Sequence, residues 1–188
     1  MSEVPTASQT VGPFFSIGLA PQYQQEMLPL DSGGARFTIQ GCVFDGDGEP
    51  VPDAVLEIWH PVIMVGASGE SGGSTNGVPN GFVRVATDEQ GQFRFTGVKP
   101  TGIKVDGIQL APHYVVLLFM RGLHRHLVTR VYLPDEPDEP SNAVDAVLRV
   151  VPEDRRRTLI AARAPESTDH LDWDIHLQGE RETVFFET

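Results

Sequence analysis

Cysteine, tyrosine and positive charge are all scarce in this chain of 188 residues, which holds one Cys, three Tyr and 14 Lys or Arg. A single cysteine, Cys42, excludes an intrachain disulfide framework and a cysteine-rich zinc site. The 14 basic residues face 26 acidic ones, for a formal net charge of −12. Nucleic acid and anionic membranes select the opposite balance. The longest apolar run, residues 114–120, falls far short of the ~20 residues that span a bilayer. The opening Met1-Ser2-Glu3-Val4-Pro5 has neither the basic nor the apolar stretch of a secretory signal. With an unpaired thiol, this points to a reduced, cytoplasmic setting.

What is present is ordinary for a globular chain: 40% hydrophobic and 21% charged residues. Glycine (19) and proline (15) cut the sequence into short runs. Residues 1–35 stand apart. Gly12-Pro13, Pro21 and Pro29 oppose a long helix or central strand, so this stretch reads as an extended arm anchored by Phe14, Phe15 and Leu19. Such an arm packs on its own domain or on a neighbouring subunit. From Arg36 the hydrophobic period becomes two, with Phe37, Ile39, Gly41 and Val43 on one face. Asp45-Gly46-Asp47-Gly48 is a turn signal, and further strands follow at 55–59, 82–86, 92–95, 113–120, 127–133, 172–178 and 183–186. Residues 60–80 form a long Gly-rich loop. A short helix is expected over 142–150 with Ser141 or Asn142 as its cap. Eight or nine short strands give an all-β sandwich over 36–188.

Local motifs carry little chemistry by themselves. His124 and His126 would share one face of a strand, but the pair lacks further ligands and sits beside Arg121 and Arg125, so it reads as a solvated or interface turn. No G-x-S-x-G elbow or phosphate-cradling glycine loop occurs. His113 has Val115 at the i+2 position, so no local histidine pair exists there. Arg121 directly follows the most apolar strand, where a fixed guanidinium could pair bidentately with a carboxylate; by itself it reads as an ordinary surface arginine.

A set of segments in order along nearly the whole chain changes those weights. They include Ser8-Gln9-Thr10-Val11-Gly12-Pro13-Phe14, Gly41-Cys42-Val43-Phe44-Asp45, Leu56-Glu57-Ile58-Trp59, Ala111-Pro112-His113, Leu118-Phe119-Met120-Arg121-Gly122 and Gly179-Glu180-Arg181-Glu182-Thr183-Val184-Phe185-Phe186. Together they resemble the intradiol ring-cleavage dioxygenases, and within them the alpha-type chains.

The resemblance implies an intradiol-type β-sandwich with an N-terminal arm and one or two short helices. In that family the catalytic chains hold non-haem ferric iron through two tyrosines and two histidines, hard ligands that suit the ferric state. By resemblance the tyrosines should fall in residues 60–80 and 101–111, and neither stretch contains one. The second histidine position is Val115, so His113 alone survives as a vestige and this chain is expected to bind no metal. Ferric iron is then expected on a beta-type partner chain, with 3,4-dihydroxybenzoate and O2 as substrates. By the same resemblance Thr10, Gly12, Pro13 and Arg121 reach the substrate pocket. A stand-alone β-sandwich binding module is the alternative of a different class, and a metalloenzyme built on His124 and His126 is a third.

Overall fold

The computed structural model describes residues 6–27, 35–60, 81–134, 145–165, 167 and 169–187, with the backbone of 74–75 and 78–79. The expected loop over 60–80 and the expected cap at Ser141 or Asn142 lie largely outside these residues. The described strands are β1 (Arg36–Phe44), β2 (Val55–Trp59), β3 (Ser74–Thr75), β4 (Val78–Pro79), β5 (Phe82–Ala86), β6 (Gln92–Val98) and β7 (Ile103–Val105). They continue with β8 (Ile108–Leu110), β9 (His113–Phe119), β10 (Leu127–Tyr132), β11 (Ala162–Arg163), β12 (His170–Asp172) and β13 (Ile175–His176). Among the described residues three short α-helices join them: α1 (Phe14–Leu19), α2 (Ala146–Val150) and α3 (Glu153–Arg156); the stretch 183–186, expected as a strand, instead makes a single bridge from Phe186 to Val128.

Two sheets make the sandwich. One runs β11-β12-β1-β13 with β6 on the other side of β1; the second runs β10-β9-β2-β5. Period-two patterning places one face of each inward. Ile39, Val43, Phe95 and Leu171 from the first sheet meet Leu56, Ile58, Val83, Val116 and Leu118 from the second in one buried cluster. Fully burying each such side chain contributes ~1.5–3 kcal/mol. Tyr114 fills the middle of this core, edge-on to Phe95, and its hydroxyl donates to the Val98 carbonyl. Burial pushes its phenol well above the ordinary range, so it is neutral.

The expected alternation over 172–178 is present, with Trp173 and Ile175 buried and Asp174 exposed between them. It is split into β12 and β13 by a close approach. A Cβ on Gly41 would lie 1.8 Å from the Trp173 carbonyl oxygen, so only glycine lets that carbonyl sit there. The Asp174 carboxylate accepts from the Cys42 amide at 2.9 Å where the ladder is interrupted.

The N-terminal segment is stitched to the sandwich at its far end. Met27 is buried and its amide donates to the Thr96 carbonyl, while Arg84 of β5 reaches Gln22 and pairs with Glu57. Nearer the start the arm is locally helical. Pro13 has φ −64° at the cap of α1 and Pro21 opens a following 3-10 turn, so the prolines start short helices there; their fixed φ suits a first turn.

Candidate functional site

β2 and β9 are antiparallel, with Val55 opposite Phe119. Continued two residues past both ends, that register puts Asp53 opposite Arg121, and the two side chains form an ion pair through Arg121 Nε and Asp53 Oδ2. Arg121 keeps 55% of its side-chain surface in solvent and Asp53 24%. Among the described residues the guanidinium makes no other hydrogen bond, so its terminal Nη1/Nη2 edge is open. The chain then turns at Gly122, whose φ of +93° suits glycine.

Thr10 of the arm reaches this turn, its Oγ1 accepting from the Gly122 amide at 2.7 Å. The Gly12 carbonyl accepts from Phe15 at 3.1 Å, Pro13 caps α1, and both residues are exposed. Phe15 then packs on Phe119, with ring centroids 5.7 Å apart. Thus the arm and the end of the four-stranded sheet bring Thr10 and Arg121 to neighbouring peptides, with Gly12 and Pro13 a few residues along the arm. The outer side of α1 is bare: Phe14 is 77% and Ile17 66% exposed. Phe14 therefore does not anchor the arm on its own domain; Phe15 does.

A second set of groups surrounds His113. It is buried, and its Nδ1 lies 2.7 Å from the Ala111 carbonyl, an arrangement that suits an Nδ1–H donor. Burial lowers its pKa to about 4; Arg130 and His60 push it down, while the Ala111 contact and Asp145 act the other way. Tyr132 packs on the ring at 5.1 Å. Its hydroxyl donates to Asp145 Oδ1 and accepts from Arg130, and burial raises the phenol pKa beyond the ordinary range. Asp145 is fully buried. It accepts from Ala111, Val147 and Leu148 amides at 2.7, 2.8 and 2.8 Å, and thereby caps α2. Tyr114 lies on the opposite face of β9, in the sandwich core.

Two surface grooves lie away from both places. One of about 570 Å³ is polar and includes Gln40, Arg94, Asp172 and Asp174; another of about 330 Å³ includes Arg157, Trp173, His176 and Arg181. Neither is lined by Arg121. His124 and His126 fall in the exposed turn before β10, not in a strand, so the i, i+2 geometry is absent; His126 instead packs tilted against Phe119, ring centroids 5.3 Å apart. Among the described residues no group of three or more His, Cys, Asp or Glu could hold a metal.

The profile of the family described as Dioxygenase matches residues 11–179. The alpha chain of protocatechuate 3,4-dioxygenase from Burkholderia cepacia is 40% identical over 199 residues, 97% of this chain and 96% of that one. The chain belongs to the intradiol dioxygenase family. The beta chain of protocatechuate 3,4-dioxygenase from the same species is also a relative of this intradiol dioxygenase chain, at 28% identity over 85% of this chain and 77% of that one. Among solved structures, the dioxygenase domain of a carbohydrate-binding fusion protein from Streptomyces sp. SirexAA-E shares the fold. Its TM-score is 0.55 at 22% identity, over 96% of this chain and 100% of that one.

Around His113 the described residues do not form the donor set of an iron site. His113 engages Ala111 through one ring nitrogen, Val115 occupies the i+2 position, and the Tyr132 hydroxyl is committed to Asp145 and Arg130. Asp53 and Asp145 escape a reading of motifs. Register was the signal for Asp53, since it mirrors Arg121 across the β2–β9 pair.

Proposed function

We propose that this chain is the non-iron, alpha-type subunit of a two-chain intradiol dioxygenase that acts on 3,4-dihydroxybenzoate. The complex adds both atoms of O2 across the bond between the two hydroxylated carbons, giving 3-carboxy-cis,cis-muconate. A beta-type partner, present as αβ units in a higher oligomer of the cytoplasm, holds ferric iron, which supplies the redox chemistry. The present chain furnishes one wall of the pocket. Thr10, Gly12 and Pro13 line it with arm backbone, and Arg121 holds the substrate carboxylate, leaving the catechol end for the partner.

One juxtaposition carries this reading: a braced arginine with an open terminal edge lies on an exposed rim, next to the bare apolar side of α1. A partner surface set against that rim would turn the open edge into a closed pocket and cover Phe14 and Ile17. The nearly full-length likeness to an alpha chain supports the same assignment. The alternative, a stand-alone binding module, needs no partner. Co-expression with a beta-type intradiol chain separates the two. The expected result is a defined hetero-oligomer on size exclusion that consumes O2 with 3,4-dihydroxybenzoate; failure to form one would remove the subunit assignment.

A further inference from the structure

We infer that Asp53 is a positioning residue for the substrate carboxylate, acting through Arg121; the inference rests on the proposed role of Arg121. A guanidinium presents two bidentate edges, one formed by Nε with a terminal nitrogen and one by the two terminal nitrogens. Asp53 takes Nε, which leaves the terminal edge without a hydrogen-bond partner among the described residues and fixes the plane in which it lies. The geometry is set by the fold. Asp53 follows Pro52 in the turn before β2, Arg121 follows the end of β9, and the Val55–Phe119 register aligns them. The next peptide is held too, since Thr10 Oγ1 accepts from the Gly122 amide. The arginine is thus braced at its Nε and at the amide that follows it.

Asp53 has two opposed effects on an anionic substrate. Its charge repels a carboxylate, and its bond removes the rotamer freedom an exposed arginine would otherwise lose on binding. The carboxylate of a bidentate ligand sits beyond the guanidinium, on the far side from Asp53, and at a half-exposed rim water and salt screen the repulsion strongly. Orientation therefore dominates, and removing the Asp53 charge weakens substrate binding rather than strengthening it.

The test uses the reconstituted complex with Asp53→Asn, Asp53→Glu, Arg121→Ala and the double variant Asp53→Asn/Arg121→Ala. Two substrates are compared: 3,4-dihydroxybenzoate and catechol, which lacks the carboxylate. Calorimetric binding of 4-hydroxybenzoate supplies a readout apart from turnover. Asp53→Asn is expected to raise KM for 3,4-dihydroxybenzoate about three- to tenfold with kcat within twofold, to leave KM for catechol unchanged, and to weaken 4-hydroxybenzoate by the same factor. Asp53→Glu restores most of the loss, and Asp53→Asn adds nothing in the Arg121→Ala background. If Arg121→Ala itself leaves 3,4-dihydroxybenzoate binding unchanged, the proposed role of Arg121 fails. If Arg121→Ala weakens binding but Asp53→Asn does not, or if Asp53→Asn costs the same with and without Arg121, the positioning inference alone fails. Loss of assembly by Asp53→Asn that Asp53→Glu does not repair would likewise make Asp53 structural and overturn it.

Discussion

Replacing Asp145 by asparagine tests whether the buried cluster around His113 is a structural lock. The carboxylate accepts three bonds on Oδ1, from the Val147 and Leu148 amides and the Tyr132 hydroxyl, and one on Oδ2, from the Ala111 amide at 2.7 Å. Asparagine has one acceptor oxygen and one donor nitrogen. In the better orientation the oxygen keeps the α2 cap, and the new amide faces the Ala111 N–H, donor against donor. One buried amide then loses its partner, at a cost of ~1–3 kcal/mol. Asp145→Ala loses the cap as well and strands Tyr132, for about 4 kcal/mol. In a domain of this size ~1 kcal/mol moves Tm by roughly 2–4 °C, so the expected falls are about 2–12 °C for asparagine and about 8–16 °C for alanine. Thermal denaturation followed by circular dichroism checks this against Asp47→Asn, an exposed turn position expected to stay within ~0.5 kcal/mol of the parent. If Asp145→Asn melted with the Asp47 control, the four-donor account of α2 would be refuted.

Three other outcomes are expected. His113 stays neutral in the fold down to about pH 4, whereas the unfolded chain takes a proton near pH ~6.5. The unfolded state binds more protons between those values, so stability falls as pH drops through that window, by about 3 kcal/mol in all. His113→Asn, whose amide can still donate to Ala111, should show a shallower decline of Tm from pH 7 to 4.5; parallel curves would remove His113 as the cause. Gly41→Ala drives a Cβ into the Trp173 carbonyl and should cost at least about 3 kcal/mol in denaturant titrations, a result that near-parental stability would contradict. Thr10→Val removes the acceptor for the Gly122 amide and should speed hydrogen exchange at that amide by about five- to tenfold, with core amides unchanged; an unaltered rate would mean the arm does not hold the turn.

Strand positions were legible because their causes are local. The inward face of β1 and the alternation from Asp172 to His176 follow from a period of two, and Asp45-Gly46-Asp47-Gly48 turns the chain as its composition requires, with Gly48 at φ +83°. The split of β12 from β13 was hidden. It depends on the Trp173 carbonyl pressing on Gly41, a contact made across 132 residues. The arm's helix was hidden for another reason. Proline density argues against long helices, yet Pro13 and Pro21 suit the first turns of short ones. Asp145 gave no sign of its role as the cap, because its importance comes from burial and from Ala111, which packing alone brings near. At the candidate site, Arg121 stood out only through resemblance. The surroundings that make it interesting, Asp53 and Thr10, come from sheet register and from the path of the arm.

The central claim is that this chain completes a site whose iron another chain holds. Metal analysis and visible absorption of the purified chain alone, and of its complex with a beta-type partner, test it most directly. The account predicts no stoichiometric iron and no tyrosinate-to-iron band for the chain alone, and both for the complex, together with O2 uptake on 3,4-dihydroxybenzoate. Ferric iron bound by the isolated chain, with that band and with O2 uptake, would contradict it.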